Sequence, residues 1–284
     1  MLEQNGVRIA AVSYDSQEVL AAFAQKHAIA FPVLSDNMSE TIRRFGIFNF
    51  NMAPDLRAYG VPHPVEYLVA PDGIVVKKYF VPNYQHRVTG AAVALREFGT
   101  VRPDAPTVTL ESGSLAVRIG FPSAKAFAGQ EVGLFAQFAL QPGWHIYGSP
   151  LPERYTATSI TFEGPSVVRQ GLELPAPKML NIPALGETLP VYSKTFQGIG
   201  TLLLKHPLPE GKIVLRGHLS FQQCSDSVCE PPQVLPFELA LTLEPFLISE
   251  QERKLLEERN RNHWHTSSHH ESRSRKGRSR SEAT

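Results

Sequence analysis

The spacing of apolar residues changes partway along the chain, close to residue 100. Before that point, short apolar runs alternate with stretches that are apolar on one helical face. Val7-Arg8-Ile9-Ala10-Ala11-Val12-Ser13-Tyr14-Asp15 predicts a buried strand ending in a polar turn. Asp15 or Ser16 is placed to cap a helix over 17–27, in which Val19, Leu20, Phe23 and Ala24 share a face. Residues 31–36 predict a short extended piece, and residues 39–45 a second helix stopped by Gly46. Tyr67–Ala70 and Ile74–Tyr79 predict two strands joined by the Pro71-Asp72-Gly73 turn, and a last helix is expected from about His86 to Phe98. Helix and strand alternate, which is an α/β pattern. Residues 99–106, with Pro103 and Pro106, predict a linker. Beyond it the period becomes two, with strands expected at 107–110, 115–119, 132–140, 144–147, 159–162, 198–204, 212–221 and 234–243. The alternation is cleanest through Ile213, Leu215, Gly217, Leu219 and Phe221, which sets one face of that strand in a core. Many short strands with Gly and Pro turns and no helix between them predict an Ig-like β-sandwich.

Composition adds limits. The 284 residues suggest about two domains. A hydrophobic fraction of 42% and a charged fraction of 19% are ordinary for a globular protein. The net charge of +1 supplies no global field for nucleic acid or a membrane surface, although Arg273, Arg275, Lys276, Arg278 and Arg280 crowd the end of the chain. No apolar run reaches the roughly 18 residues of a membrane span. Met1–Gly6 carries no basic stretch followed by an apolar core, so no export signal is read there.

Both cysteines of the chain fall in one segment, Phe221-Gln222-Gln223-Cys224-Ser225-Asp226-Ser227-Val228-Cys229-Glu230-Pro231-Pro232, flanked by strand-like sequence. Two readings stand: a structural staple, or a dithiol that is oxidised and reduced in turn. Closing so short a ring removes only about 2 kcal/mol of unfolded-chain entropy, and a domain of this size can bury a core without it. That balance favours the redox pair. A zinc site would need two further ligands, and no His-x-x-x-His partner stands nearby; His218 is the one histidine within reach in sequence. Asp226 and Glu230 flank the thiols, and no Lys or Arg lies between Gln222 and Phe237. Carboxylates so placed raise a thiol pKa and can accept a proton when a partner docks. On its own, Asp226 reads equally well as a turn residue.

The segments VRIAAVSYDSQEVLAAFAQKHAIAFPVLSD, IRRFGI and HPVEYLVAPDGIVVKKYF, in that order, resemble the carboxy-terminal two-thirds of an AhpC/TSA-type peroxiredoxin, a thioredoxin-fold family. The resemblance covers roughly residues 1–98. It places Pro64 where that fold carries its cis-proline, beside the active-site cysteine. In the family, the peroxidatic cysteine follows an earlier strand and opens the first long helix, but this chain begins after both and has no cysteine in the segment. Without a thiolate nucleophile, peroxidase activity is not expected of the chain as it stands. The absent strand would lie between the Val7 and Tyr67 strands, and its loss would expose two edges in one sheet, so a truncated start is favoured over a degenerate scaffold.

The segments GWHIYGSPLP, GETLPVYSKTF and GHLSFQQCSDSVCEPPQVLPFELAL resemble the amino-terminal domain of the thiol:disulfide reductase DsbD, over roughly residues 105–245. That family carries a strand, two cysteines and a Pro-Pro step on an Ig-like sandwich. Four residues separate the cysteines here, where the reductase usually has five. The resemblance implies that Cys224 and Cys229 take electrons from a thioredoxin-like donor and pass them to an oxidised extracytoplasmic partner, by thiolate attack through mixed disulfides. It assigns the mixed disulfide to Cys229. It also implies that residues of an earlier strand, here His145 and Tyr147, and of a cap loop, here Glu187 and Tyr192, shield the pair. Trp144 and Tyr147 are also read as ordinary core residues.

The expected architecture is multidomain, α/β plus all-β. A truncated thioredoxin-like domain (1–98) and a linker (99–106) precede an Ig-like β-sandwich (107–247), a short charged helix (248–262) opening on the capping-box pattern Ser249-Glu250-Gln251-Glu252, and a disordered basic tail (263–284). No cofactor or metal is expected, the partners are thioredoxin-like redox proteins, and the location is periplasmic or extracytoplasmic by resemblance. The alternatives are a non-catalytic Ig-like binding module with a structural disulfide, and a fragment of an antioxidant peroxidase.

Overall fold

The computed structural model describes residues 1–51, 59, 61–80, 86–182 and 186–245. The charged helix expected over 248–262 and the basic tail lie outside the described residues.

The first part of the chain follows the predicted order, with shorter strands. It comprises β1 (Ala11–Ser13), α1 (Gln17–Lys26), β2 (Val33–Ser35), α2 (Glu40–Arg44), β3 (Val65–Val69) and β4 (Val75–Phe80). Ser16 caps α1, its hydroxyl accepting from the Val19 amide at 3.4 Å. The Ser39 backbone is left-handed, and Asp36 accepts from the Glu40 and Ile42 amides at 3.0 and 2.8 Å, which holds the start of α2. β1 and β2 pair in parallel, and β3 and β4 pair antiparallel. The two ladders are not joined, so no single thioredoxin-like sheet is assembled among the described residues. A strand needs a partner ladder on each side to enter a sheet interior, and none is present between β1 and β3. Val12, Leu34, Val69 and Val76 are accordingly exposed.

The predicted helix over 86–98 is shorter than expected. Arg87–Val88 forms a two-residue strand, β5, and the helix, α3, spans Gly90–Phe98. Thr89 sets the boundary: its hydroxyl accepts from the Ala92 amide at 3.0 Å in a buried setting. Thr89→Ala is expected to cost about 1 kcal/mol in urea unfolding, and Thr89→Ser much less, because serine keeps the cap oxygen.

The rest of the described chain is β. The strands are β6 (Thr107–Ser112), β7 (Leu115–Gly120), β8 (Lys125–Ala126), β9 (Gln130–Leu140), β10 (His145–Tyr147), β11 (Ser159–Glu163), β12 (Val167–Glu173), β13 (Lys178–Ile182), β14 (Glu187–Ser193), β15 (Thr195–Leu204), β16 (Gly211–Phe221), β17 (Gln223–Cys224) and β18 (Gln233–Leu243). A six-stranded sheet in the order β12-β15-β9-β7-β6 faces a four-stranded sheet in the order β11-β16-β18-β8, with β5 added alongside β9. One core cluster joins them, drawing Leu134, Ala136 and Phe138 from the first sheet and Leu215, Leu219, Phe237 and Leu239 from the second. The alternation read from the sequence is this inward face.

The outer face of the six-stranded sheet is covered as well. α3 packs on β9 and β15, burying Ala92, Val93, Ala94 and Leu95. Gly133 permits the close approach: a Cβ there would meet Pro122, Ala92 and Leu95 at 2.9–3.2 Å. Tyr79 of β4 donates to Glu97 of α3 at 2.6 Å. Burial and that carboxylate hold the Tyr79 phenol above its usual range.

A third, smaller sheet in the order β13-β14-β10-β17 carries the cysteines. The stretch expected to be a cap loop is therefore a β-hairpin, with Lys178 opposite Val191 and Ile182 opposite Glu187.

Candidate functional site

β10 is the axis of the small sheet. It pairs on one side with β14, His145 opposite Ser193 and Tyr147 opposite Val191, and on the other with β17, His145 opposite Cys224. Cys224 and Cys229 are joined as a disulfide and also face each other as an isolated antiparallel bridge. The turn between them is held by Ser225, whose amide donates to the Val228 carbonyl at 2.7 Å and whose hydroxyl accepts from the Ser227 and Val228 amides at 3.3 and 3.2 Å. Ser225, not Asp226, is thus the residue that makes this turn.

The two sulfurs sit in different surroundings. Cys224 is 0% exposed, packed in a second apolar cluster with Tyr147, Ile182, Leu189 and Val191. Cys229, with Asp226, Ser227 and Val228, is exposed. Cys229 is the solvent-facing member of the pair and Cys224 the enclosed one.

Tyr147 lies against both. Its hydroxyl is 3.2 Å from Cys224 Sγ and 3.6 Å from Cys229 Sγ. Disulfide sulfurs carry no hydrogen, so the phenol is the donor. Burial, with Tyr155 beside it, pushes the phenol above its usual range and keeps it protonated. The main chain fixes this ring: the Tyr147 carbonyl accepts from the Thr158 amide at 2.9 Å and from its hydroxyl at 2.8 Å. The Tyr155 ring packs 5.1 Å from that of Tyr147, and its hydroxyl donates to Glu187 at 3.1 Å. Glu187 also pairs with Arg154. Glu187 therefore acts one layer out, holding Tyr155 against Tyr147, and makes no contact with the sulfurs.

His145 is 4% exposed, and its Nε2 has no hydrogen-bond partner. Burial holds its imidazole below the usual range, and the Asp226 carboxylate works in the opposite direction. Asp226 is on the exposed side of the turn.

Three expectations are corrected. Tyr192 does not shield the sulfurs: it belongs to the main sandwich core, stacks on Phe196 at 4.6 Å and donates to the Pro175 carbonyl at 3.0 Å. Neighbouring residues of a strand project to opposite faces, and Val191 is the one that faces Cys224. Pro64 stands ahead of β3 with a trans peptide bond, the cis bonds among the described residues being Ser149–Pro150 and His206–Pro207. Glu230 is not a carboxylate waiting for a thiol proton; it accepts from Gln223 Nε2 at 2.6 Å and Gln233 Nε2 at 2.7 Å. His218 is turned away too, facing Glu163 across β11 and β16 at 2.9 Å.

Two residues that matter here were not anticipated. Nothing in the sequence singles out Tyr155. Gln223 had a signal, because the alternation through Leu219 and Phe221 places it next on the inward face, a polar residue at an apolar position. Among the described residues, no group of three or more His, Cys, Asp or Glu is placed to hold a metal, and no helix is long and apolar enough to cross a membrane.

Two known families match separate stretches of the chain. Residues 1–78 match the AhpC/TSA family, and residues 120–241 match the family described as thiol:disulfide interchange protein DsbD, N-terminal. Among solved structures, the N-terminal periplasmic domain of ScsB from Proteus mirabilis is 23% identical with a TM-score of 0.38, the match covering 49% of this chain and 51% of that one. This chain thus overlaps about half the length of that structure. The DsbD N-terminal domain of Neisseria meningitidis, in its reduced form, is 11% identical with a TM-score of 0.26, covering 52% of this chain and 94% of that one. A family 123 glycoside hydrolase from Clostridium perfringens is 11% identical with a TM-score of 0.27, covering 46% of this chain and 28% of that one. No curated protein matches the chain.

Proposed function

We propose that the chain is a thiol-disulfide exchange protein, passing electrons through Cys224 and Cys229 between a thioredoxin-like donor and an oxidised partner outside the cytoplasm. The observation that carries this is the asymmetry of the disulfide: an exposed Cys229 joined to a Cys224 buried beneath Tyr147. Exchange needs one sulfur open to in-line attack and a second able to leave and wait. A donor thiolate attacks Cys229 Sγ; the new donor–Cys229 bond forms as the Cys224–Cys229 bond breaks. The electron pair goes to Cys224, where the Tyr147 hydroxyl is already placed to donate to the developing thiolate. A second thiol of the donor then releases Cys229 and leaves the pair reduced. The same steps in reverse reduce the acceptor. The DsbD-type family match supports both the chemistry and an extracytoplasmic setting.

Equilibration with graded ratios of reduced and oxidised glutathione, followed by quantification of free thiols, tests this. A single two-electron transition in the folded protein is expected. A disulfide that stays closed in the folded state under excess dithiothreitol would establish a structural staple instead.

A further inference from the structure

A buried histidine with an unused nitrogen stands across from the inner cysteine. His145 and Cys224 are direct partners across β10 and β17. Residues so paired project to one face of the sheet, with Cβ atoms about 4.5–5.5 Å apart. Tyr147, two residues further along β10, shares that face; its ring meets the His145 ring edge-on, with centroids 5.9 Å apart. Nε2 of His145 is sealed from solvent without a hydrogen-bond partner. A buried polar nitrogen left unsatisfied carries its full desolvation cost, which purely structural side chains avoid. A group held ready for a transient proton bears that cost between turnovers.

Building on the exchange function proposed above, we propose that His145 is the base that takes the proton of Cys224 when Cys224 displaces a partner from Cys229. In the mixed disulfide, Cys224 is a buried thiol, and burial raises a thiol pKa, so little thiolate forms unaided. The Cys224 proton passes to His145 Nε2, and the Cys224 electron pair attacks Cys229 Sγ. The Cys224–Cys229 bond forms, the Cys229–partner bond breaks, and the partner sulfur leaves with the electron pair as a thiolate. The imidazolium then gives its proton to that thiolate at the exposed Cys229 edge before the partner departs. In the opposite direction the imidazolium protonates Cys224 as it leaves, and no outside oxidant or reductant is required in either case.

The other ionisable groups around the ring do not fill this role. Tyr147, on the same strand, is a protonated donor to the sulfurs. On β14 the residue opposite His145 is Ser193, followed by Lys194, a cation. Asp226, on the turn after β17, is exposed and bears on His145 by its charge. Glu230, where the turn rejoins the sheet, is bound by Gln223 and Gln233.

The test follows the reduced protein through a single turnover with oxidised glutathione, separating formation of the Cys229–glutathione adduct from its release by Cys224. His145→Gln is expected to slow release by on the order of 100-fold near pH 7, as loss of a general base does, and to leave adduct formation essentially unchanged. The gap should narrow as the pH is raised well beyond the ordinary thiol value of about 8.5, because a thiol raised by burial then ionises without help. Equal release rates at pH 7, or a slowing that persists unchanged at high pH, overturn the role of His145 and leave the exchange function intact. Failure of the wild-type protein to form any adduct overturns both. Nitrogen NMR of the wild-type imidazole in the dithiol form needs no variant. A neutral ring with Nε2 unprotonated near pH 7 is expected, and a proton resident on Nε2 excludes it as the acceptor.

Discussion

Cys229→Ser is expected to abolish exchange, whereas Cys224→Ser is expected to give a protein that captures a partner and cannot let it go. The difference follows from burial. With Cys229 removed, the remaining thiol is the fully buried Cys224, enclosed by Tyr147, Leu189 and Val191, where no partner disulfide can align with it. Reactivity should fall to the background of an inaccessible thiol. With Cys224 removed, the exposed Cys229 still attacks an oxidised partner, but the nucleophile that would resolve the mixed disulfide is gone. Mass spectrometry after mixing each reduced variant with an oxidised thioredoxin-like protein distinguishes them: a stable covalent adduct for Cys224→Ser and none for Cys229→Ser. Equal trapping by both would remove the basis for assigning distinct roles to the two sulfurs. Either variant also loses the six-residue ring, which costs about 2 kcal/mol. That is small against the stability of a sandwich core, so both variants are expected to fold.

The long strands β16 and β18 were legible because each has one buried face: they alternate over eleven residues apiece, and their periods needed no tertiary information. β9 alternates only over its last five residues, because α3 covers its other face earlier in the strand. β13 and β14 were not legible. Lys178-Met179-Leu180-Asn181-Ile182 has no alternation of its own and is a strand because it pairs with β14 over the buried Tyr147. β1 fails in the other direction. Its sequence is apolar from Val7, yet only Ala11–Ser13 pairs, because a strand extends only as far as its partner β2 supplies a ladder. At the site, the cysteines, His145 and Tyr147 were legible from residue type and motif. Tyr192 was misplaced because motif matching carries no register: a shift of one residue along β14 separates the cysteine-facing Val191 from the core-facing Tyr192.

Gln223 ties the redox turn to the sandwich, and Gln223→Leu is expected to cost about 3 kcal/mol, from several buried polar groups left without partners. Its side chain is 0% exposed and makes four hydrogen bonds. Oε1 accepts from the Ser114 amide at 3.2 Å and the Ser114 hydroxyl at 2.6 Å; Nε2 donates to the Ser112 carbonyl at 3.3 Å and the Glu230 carboxylate at 2.6 Å. These contacts join the β6–β7 turn to the residue immediately after Cys229. Gly113, at the centre of that turn with φ +58°, leaves the space that the Gln223 amide fills. Leucine has nearly the volume of glutamine but none of the hydrogen bonds, so the loss reads polar satisfaction and not a cavity. Glu230 would keep its contact from Gln233 at 2.7 Å, and its main-chain carbonyl would keep that from Gln222 at 3.1 Å, so the turn should loosen without detaching. Two measurements separate this from a general loss of packing. Urea unfolding should show the lowered midpoint, and hydrogen exchange should quicken at Ser225–Glu230 well before it quickens in β9 or β16. A midpoint within about 0.5 kcal/mol of wild type would place Gln223→Leu among neutral substitutions and leave the position of Cys229 to the disulfide, the Ser225 turn and the remaining contacts of Glu230.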